Sequence, residues 1–501
     1  MKTKNNLWFI KHFIFVVTAV IVCVVLIWKL FGQTAHVANA EKGVLDLRDA
    51  SIEQMEPIQL IGEWKFYWKK WVSQANREQI EHESSLFVFV PDTWTKYSLH
   101  ENALPQHGYA TYQLSILVNE QDVGKIVSLY IPSVATAYRL WADDKLIASN
   151  GEVAASREHM VPKNYAKVAT FQIKQPIVEL FLQVSNYHQR KAGLWEPIAF
   201  GTAEQINKLR DRNVLFQSFV IGCIFMIGIY QLMLFIHRPK ERVSLYIATA
   251  CFCISLRTSL LKDALLVHLL PILNWEWTVS VEYLCGLIAL LFFLYYVDQE
   301  FALQLPKRLK QWLVILLLFY CLFIIFFPAR VYTNTFTFLQ IFVSFIVFLI
   351  VASTIKGYRQ QRVGSSLNLF ALILLSAAII NDLLHYRQWI FTDEFISLGL
   401  LFYILTQSIH VARKFSHSFG QTERLSKELQ QLNESLEKKI AARTEQLETM
   451  YRRLQKIEDS RRKLLSSVSH ELKTPLTFIQ GYIKAMMDGV VSRSKHRRMV
   501  L

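Results

Sequence analysis

The sequence predicts a multidomain membrane protein, with an all-β sandwich, a bundle of seven membrane-spanning helices and an α-helical coiled coil in that order. The composition is the first reason, because 52% of the 501 residues are hydrophobic and 34 are Phe, which is high for a soluble protein. The second reason is the order of patterns along the chain. Short β-type runs fill residues 40–205, long apolar segments fill 213–411, and leucines at heptad spacing occupy 412–460.

An apolar run at 13–28, preceded by three lysines, dominates residues 1–35. Two interpretations stand, an uncleaved membrane anchor or a signal peptide that is cleaved near Ala38-Asn39-Ala40. We favour the anchor, because this small-residue site lies well beyond the apolar run. Both interpretations place the next segment outside the cell.

Residues 40–205 have the pattern of an all-β domain, in which runs rich in β-branched and aromatic residues alternate with turn residues. The clearest runs are 126–131, 136–142 and 177–184. Asp143-Asp144 breaks the chain after the second run, and Asn150-Gly151 ends the run that follows. None of the six cysteines lies in this domain, so we expect its stability to come from its own core rather than from disulfides.

Seven apolar segments follow, each near the roughly 20 residues that a spanning helix needs. They are 213–236, 243–266, 279–297, 312–328, 335–355, 366–386 and 390–411. The loops predict the orientation, because cytoplasmic loops are rich in Lys and Arg. The first, third and fifth loops carry three such residues each, whereas the alternating loops carry one or none. We therefore predict an extracellular β domain and a cytoplasmic C-terminus.

The formal net charge of +15 raises the question of nucleic-acid binding. The basic residues concentrate in short segments between apolar runs and near the C-terminus, which is how a membrane protein marks its cytoplasmic side. No basic stretch carries the aromatic residues on which bases stack. We predict the membrane as a partner and no nucleic-acid partner.

Six ionisable residues fall within the second, third and sixth apolar segments. They are Arg257, Lys262, Asp263, Glu282, Asp382 and His385. Charges at that depth cost at least a few kcal/mol unless they are paired or face a cavity. One interpretation is an outward-facing sensory polar cluster. Its members would be Arg257, Glu282, Asp382 and His385. The other, which we favour, is a set of structural ion pairs or of helix-end residues near water. As a specific hypothesis, Arg257 pairs with Asp382.

The last apolar segment leads into a charged helix with an apolar seam. The seam residues are Leu425, Leu429, Leu432, Leu436, Ile440, Leu447, Leu454, Ile457, Leu464 and Val468. Their spacing predicts a parallel dimeric coiled coil, and hence a homodimer. Between Leu436 and Ile440 the step is four residues, which is the signature of a stutter. A passive spacer and a rotary switch are both compatible with this pattern.

Residues 467–476, with the sequence Ser-Val-Ser-His-Glu-Leu-Lys-Thr-Pro-Leu, continue this helix. Neutral imidazole is a nucleophile, so His470 can attack the terminal phosphate of ATP. A carboxylate at Glu471 can bond a ring N–H, which would fix the tautomer and relieve the charge that develops during attack. Thr474 lies four residues on and therefore on the same helix face. Pro475 cannot donate to the carbonyl of Glu471, which loosens the helix.

This stretch resembles the phosphoacceptor box of bacterial sensor histidine kinases, and residues 436–444 resemble the linker common in such kinases. The resemblance implies a multi-pass protein of the bacterial plasma membrane that works in a two-component system. It also implies roles for three residues. His470 would be the phosphoacceptor and Glu471 the acid/base residue, and Thr474 would position the water that dephosphorylates the partner response regulator.

The β domain carries a second resemblance, at 62–68, 91–94, 109–112 and 129–142. These residues resemble the extracellular sensory domain of seven-transmembrane receptors with diverse intracellular signalling modules. That domain is a jelly-roll-like sandwich akin to carbohydrate-binding modules, so we expect an extracellular ligand, with carbohydrate as one candidate. Five tryptophans are candidates for stacking on a sugar, although burial in the core is the interpretation that we favour for each. They are Trp64, Trp68, Trp94, Trp141 and Trp195.

The sequence after His470 departs from the kinase pattern. Only 31 residues follow it (501 − 470 = 31), with no asparagine-rich nucleotide box, Asp-x-Gly-x-Gly or Gly-rich lid among them. Residues 461–491 resemble the first helix of the phosphoacceptor domain, and 492–501 form an unrelated basic tail. We expect that this chain binds no cofactor, that Mg-ATP belongs to a missing domain, and that the chain alone is not a working kinase. The alternative is a non-enzymatic membrane receptor that dimerises with, or is phosphorylated by, an intact kinase.

Overall fold

The computed structural model describes residues 36–49, 51–76, 85–99, 101–301, 306–360, 365–386 and 395–489. Two predictions fall outside these ranges. One is the choice between anchor and signal peptide for 1–35, and the other is the basic tail at 492–501. The chain comprises two compact units, Met1–Val411 and Ala412–Leu501.

Strands follow one another through the described residues from His36 to Thr202. They are β1 (His36–Ala40), β2 (Val44–Leu47), β3 (Ile58–Trp68), β4 (Leu86–Val90), β5 (Asp92–Thr93), β6 (Ser98–Leu99), β7 (Asn102–Ala103), β8 (Gly108–Val118), β9 (Ile126–Ile131), β10 (Val134–Ala135), β11 (Ala137–Ala142), β12 (Lys145–Asn150), β13 (Lys167–Gln172), β14 (Ile177–Asn186), β15 (Gly193–Leu194) and β16 (Ile198–Thr202). The main sheet has the order β12-β11-β14-β8-β3-β16-β9-β13; β1 and β4 also pair with β3, and β2 with β8. A three-stranded sheet, β10-β15-β5, and the pair β6-β7 complete the domain.

The long pairing of β8 with β14 lies at the centre of the domain. The strands are antiparallel, from Leu117 opposite Ile177 to Gly108 opposite Asn186. Alternate residues of β8 enter the apolar core, as the two-residue period of a strand requires. They are Ala110, Tyr112, Leu114, Ile116 and Val118. The opposite face carries polar residues that bond across strands, including Gln113, whose Nε2 donates to Glu179 Oε2 at 3.0 Å.

Aromatic side chains fill the centre of this core. Trp64 and Trp94 are fully buried, which confirms core burial for these two tryptophans. The indole N–H of Trp94 donates to the Pro105 carbonyl at 3.0 Å, so its polar atom is satisfied inside the domain. The ring of Phe66 packs edge-on against Tyr112, with centroids 4.9 Å apart. These residues hold the two faces of the sandwich together without disulfides.

The predicted turns and strands agree closely with the observed ones. The run predicted at 126–131 is β9, and the runs at 136–142 and 177–184 are β11 and β14 with small shifts at their ends. Asp143 has a φ of 51° and Gly151 a φ of 68°, so both turns use left-handed backbone. The turn chemistry therefore identified these strand ends correctly.

The buried carboxylate of Asp122 connects distant parts of the β domain through hydrogen bonds. Asp122 is 0% exposed and accepts three hydrogen bonds, from the Ser51 hydroxyl, the Ile52 N–H and the Lys125 ammonium. Burial alone would raise the pKa of Asp122, but the bonds from Lys125, Ile52 and Ser51 outweigh it and lower that pKa below 3.8. The ionised carboxylate is thus part of the folded structure.

We expect Asp122 to contribute to acid unfolding of the β domain. Because its folded-state pKa is depressed, its contribution to stability is present above the unfolded pKa and is lost as the pH falls through the folded pKa. Asp122→Asn should lower the free energy of unfolding by about 1–3 kcal/mol at neutral pH and flatten the acid limb. Tryptophan-monitored unfolding between about pH 7 and pH 2 measures this. Glu120→Gln, an exposed neighbour, is the control; equal acid limbs for wild type and Asp122→Asn would contradict the assignment.

The rest of the described chain is helical. The helices are α1 (Ala203–His237), α2 (Val243–Leu260), α3 (Leu265–Leu269), α4 (Trp275–Phe301), α5 (Lys307–Phe326), α6 (Ala329–Asn334), α7 (Phe336–Arg359), α8 (Ser365–Tyr386) and α9 (Ile396–Met487). Seven of them, α1, α2, α4, α5, α7, α8 and α9, are long and apolar enough to cross a membrane. The predicted fold class, a β-sandwich followed by seven apolar helices and a long C-terminal helix, is confirmed.

Two of the helix boundaries that differ from the predicted spans have a local cause in the structure. Helix α1 begins at Ala203 rather than 213, because Thr202 and Gln205 form a capping box that starts the helix in a polar stretch. Helix α2 ends at Leu260 rather than 266. The backbone turns there through left-handed residues, Lys262 with a φ of 53° and Ala264 with a φ of 46°. Lys262 and Asp263 therefore lie beyond the helix end and not within the span.

Candidate functional sites

His470 lies on the exposed surface of α9, within the unit Ala412–Leu501. Glu471 follows it on the same helix and is also exposed. The hydroxyl of Thr474 donates to the His470 carbonyl at 3.1 Å, so the two residues share a helix face one turn apart, as the spacing predicts. The imidazole is therefore accessible from solvent.

Pro475 lies inside α9, one turn after Glu471. Proline has no N–H, so the carbonyl of Glu471 lacks its usual helical donor in the turn next to His470. The helix nevertheless continues to Met487. The site is thus a helical turn with one missing backbone hydrogen bond beside His470.

The apolar seam of α9 is uncovered in this chain. Its ten residues, from Leu425 to Val468, are 42% to 67% exposed. Pairs such as Arg424–Glu428 at 2.9 Å and Lys427–Glu423 at 2.9 Å occupy the flanks. An apolar stripe with charged flanks on a long helix is typical of a coiled-coil partner surface.

The pairing of Arg257 with Asp382 was wrong. The guanidinium of Arg257 on α2 lies 3.7 Å from the carboxylate of Glu282 on α4. Both side chains are partly exposed, at 33% and 21%. Helices α2 and α4 pack against each other, which brings these residues together; the sequence spacing alone does not reveal this neighbour.

Asp382 has a different partner, the N-terminus of α9. Asp382 is 3% exposed. Its carboxylate accepts hydrogen bonds from the N–H of Phe395 at 2.7 Å and from the N–H of Ile396 at 3.0 Å. The first N–H groups of a helix have no helical partner, and a carboxylate is favourable there. The structure therefore makes Asp382 a helix cap and separates it from Arg257 and Glu282. The side chain of His385, the fourth member of the predicted cluster, lies outside the described residues.

Asp263 joins the β domain to the helical bundle. It is 6% exposed, and its carboxylate accepts from the Tyr130 hydroxyl at 3.1 Å. Burial raises the pKa of Asp263, while Tyr130, Lys262, Arg210 and His268 act in the opposite direction. The carboxylate at this position is thus a contact between the β domain and the helical bundle, just beyond the end of α2.

Removing the carboxyl group of Asp263 should loosen this contact. Asp263→Ala leaves the buried Tyr130 hydroxyl without its partner, and we expect a loss of about 1–3 kcal/mol in unfolding free energy. Asp263→Asn retains an oxygen that accepts from Tyr130 and should behave like wild type. Thermal unfolding in nanodiscs compares the variants, and Tyr130→Phe should remove the difference between Ala and Asn. Equal melting of the Ala and Asn variants in the presence of Tyr130 would refute the role of this bond.

A buried polar network lies at the other end of the bundle, and the sequence analysis missed it. Asn368 Oδ1 on α8 accepts from Gln407 Nε2 at 2.9 Å and from the Tyr403 hydroxyl at 2.8 Å, both on α9. The Tyr296 hydroxyl on α4 donates to Gln407 Oε1. The signal was present in the sequence, because amide side chains inside apolar spans need partners.

Two further contacts tie the same part of α9 to its neighbours. Gln231 Nε2 on α1 donates to the Ser408 hydroxyl at 3.0 Å. His410 Nε2 lies 3.1 Å from Glu300 Oε1 on α4, and both side chains are nearly buried. Within the described residues, no three His, Cys, Asp or Glu side chains are placed to hold a metal ion.

Seven apolar helices define a multi-pass membrane protein, and His470 lies exposed on the last and longest of them. Two segments of the chain match known protein families. Residues 213–414 match the family described as 7TM diverse intracellular signalling, and residues 460–501 match the His Kinase A (phospho-acceptor) domain. The chain thus joins a seven-transmembrane sensory region to a histidine-kinase phosphoacceptor segment, which confirms the recognition made from the sequence. The second match takes in 492–501, and the assignment of those residues to a separate tail stays a prediction.

No curated protein matches the chain. Solved structures that resemble part of it include the GH2 β-galacturonidase from Eisenbergiella tayi bound to galacturonate, with 13% identity, 30% of this chain and 26% of that chain covered, and a TM-score of 0.21. A β-glucuronidase from Ruminococcus gnavus gives 12% identity, 30% and 29% coverage, and a TM-score of 0.22. A β-glucuronidase from an uncultured Clostridium sp. gives 14% identity, covers 30% of this chain and 29% of that chain, and has a TM-score of 0.24. The chain spans less than a third of each of these enzymes.

Proposed function

We propose that this chain is the sensory and phosphoacceptor part of a two-component sensor histidine kinase. An extracellular signal acts on the β domain or the bundle, His470 receives a phosphoryl group, and an aspartate of a response regulator takes it over. The observation that carries the proposal is the His470 box on the exposed part of α9, the helix that also forms the seventh apolar span.

The chemistry assigned to the box is a single displacement. A neutral ring nitrogen of His470 attacks the γ-phosphorus of Mg-ATP, an N–P bond forms, and the bond to the ADP oxygen breaks. Glu471 takes the proton that leaves the other ring nitrogen. We assign the binding of Mg-ATP to a nucleotide-binding domain outside these 501 residues. Thr474 would have a separate role, in which it positions the water that hydrolyses the regulator's phosphoaspartate.

We propose a homodimer with the α9 seam as its interface. Burying an apolar side chain gains about 1.5–3 kcal/mol, and ten seam residues are uncovered in one chain. A second copy offers the same stripe in the same register, which fits a parallel coiled coil. The stutter at Leu436–Ile440 would then be the place where a change in supercoil is accommodated.

The membrane orientation follows from the loop charges. Lys and Arg are concentrated in the first, third and fifth loops of the bundle, so these loops and the His470 helix are assigned to the cytoplasm of a bacterium. The β domain is then extracellular. In this arrangement the Tyr130–Asp263 contact faces the outside, and the Asn368–Gln407 network lies toward the cytoplasm.

Phosphorylation in nanodiscs tests the proposed function. The full chain is incubated with radiolabelled Mg-ATP, alone and with a separately supplied nucleotide-binding domain of a histidine kinase. We expect a label that is stable to alkali and lost in acid, and only when that domain is present. The supplied domain is checked on its own phosphoacceptor helix. An acid-stable label, or no label while that check succeeds, would overturn the proposal.

A further inference from the structure

A group of cationic side chains lies where the β domain meets the helical bundle. Strands β8 and β14 end together there, with Gly108 opposite Asn186. His107 comes directly before this pair and His188 two residues after it, so both histidines leave the sheet at the same edge.

Asn186 holds the two histidine loops together. It is fully buried, and its Nδ2 donates to the carbonyls of Gln106 at 3.0 Å and Gln189 at 2.7 Å. Its Oδ1 accepts from the Gln189 N–H at 3.1 Å and from the Thr136 hydroxyl at 3.0 Å. The loops that carry His107 and His188 are therefore fixed by one side chain on the rigid end of the sheet.

The helices complete the surroundings from the other side. The His188 ring lies edge-on to Trp275, the first residue of α4, with centroids 6.3 Å apart, and the Trp275 indole N–H donates to Asn164 at 2.5 Å. Glu276 accepts from the N–H of Ala329 at 3.0 Å, and Arg330 is the next residue of that short helix. The β-domain loop and the ends of two helices thus converge on His188.

A second arginine reaches the same place on another β-domain loop. The Tyr187 hydroxyl donates to the Ala155 carbonyl, and the Ala154 N–H donates to Ser185 Oγ at 3.3 Å. These bonds fold the loop that contains Arg157 onto the end of β14. Arg157 itself is exposed, so this side of the group is open to solvent.

The group carries more positive than negative charge. Burial lowers the pKa of His107 and of His188, and the charges of Arg157 and Arg330 lower both further. Glu276 acts on His188 in the opposite direction, but its carboxylate already bonds the Ala329 N–H.

Several polar atoms of the group lack partners. The Nδ1 atoms of His107 and His188 are buried without a hydrogen-bond partner among the described residues. Within that same part of the chain, neither Arg157 nor Arg330 forms an ion pair with a carboxylate. Buried polar atoms without partners are costly, and an acceptor that binds the arginines would pair with these ring nitrogens once the histidines are protonated.

We propose that the junction cluster, His107, Arg157, His188 and Arg330, binds a small oxyanion, either a carboxylate or a phosphate group. Guanidinium groups bind both classes through parallel N–H bonds, and an imidazole N–H adds a further donor. The anion would bridge β-domain loops to helices α4 and α6. The idea that this anion is the signal of the receptor rests on the proposed function. The binding of an anion at this cluster does not.

Binding should be linked to protonation. An anion beside His107 and His188 raises the imidazole pKa values that burial and the arginines depress, so protons are taken up on binding. Affinity should therefore rise as the pH falls from about 8 to about 6. His188→Gln should reduce this dependence.

Anion titration of the full chain in nanodiscs tests the site, without any phosphoryl transfer. The probes are inorganic phosphate, acetate and, at matched ionic strength, chloride; thermal unfolding and calorimetry report binding. We expect saturable stabilisation by phosphate or acetate beyond that given by chloride. A preference between the two identifies the class of oxyanion, and either one supports the site.

Matched arginine variants locate the binding. Arg157→Gln and Arg330→Gln should each weaken affinity about tenfold or more. Arg48→Gln, which removes an exposed β-domain arginine paired with Asp46, should leave affinity unchanged. Because Arg157 is exposed, its variant should fold like wild type. Equal effects of all three anions on wild type, or equal affinity in all three variants, would overturn the proposal, and neither outcome bears on phosphorylation of His470.

Discussion

His470→Gln should abolish the acid-labile label when the full chain is supplied with Mg-ATP and a separate nucleotide-binding domain. Glutamine keeps the helix and much of the side-chain volume but has no nucleophilic ring nitrogen, so no N–P bond forms. We expect the signal to fall to background. Autoradiography after alkaline and acid treatment measures it, with circular dichroism to confirm that the helix is retained.

Two neighbouring variants separate chemistry from structure. Glu471→Gln should slow labelling by about 10²- to 10⁴-fold, the usual contribution of a general acid or base. Thr474→Ala should label normally, because the described Thr474 hydroxyl bonds only the His470 carbonyl. Its defect should instead lie in dephosphorylation of a regulator. Persistent labelling of His470→Gln would show that another residue accepts the phosphate.

Replacing two seam leucines by aspartate, at Leu429 and Leu432, should dissociate the dimer of the full chain. Both side chains are more than half exposed in one chain and would face the partner helix in a coiled coil. Burying two carboxylates in each of two helices costs several kcal/mol. The association constant should therefore fall by a factor of about 10³ or more. Analytical ultracentrifugation in detergent measures the mass.

The control places the same charge beside the seam. Gln430→Asp with Gln431→Asp adds two carboxylates on exposed positions of the same turn and should leave the dimer intact. If both double variants dissociate equally, net charge rather than the seam controls association. If neither dissociates, the dimer contact lies elsewhere in the chain.

Local periodicity explains what the sequence predicted well. The two-residue alternation of β8, the turns at Asp143 and Gly151, and the apolar length of the seven spans are each set by neighbouring residues. The His470 box is also local, since Thr474 reaches His470 through one helical turn. Such features can be recognised without knowing which elements pack together.

Long-range neighbours explain what the sequence did not predict. Arg257 pairs with Glu282 because α2 packs on α4, and Asp382 caps a helix that begins 14 residues later. In both cases several oppositely charged or polar groups were available, and only packing selects among them. The Asn368–Gln407 network was partly visible in the sequence, because each amide lies in an apolar span. Its pairing still depends on the tertiary structure.

The polar contacts of α9 create an energy gap between its present orientation and a rotated one. Tyr403, Gln407, Ser408 and His410 lie within about two turns and bond or contact three different helices, α1, α4 and α8. Turning the helix by one residue, about 100°, breaks these contacts together rather than one at a time. At about 0.6 kcal/mol for each interhelical hydrogen bond in a membrane, the rotated state lies roughly 2–3 kcal/mol higher and is populated at about 1–3%. In the receptor that we propose, weak inputs would therefore leave the helix in place, and output would begin once the binding energy of the signal exceeds that gap.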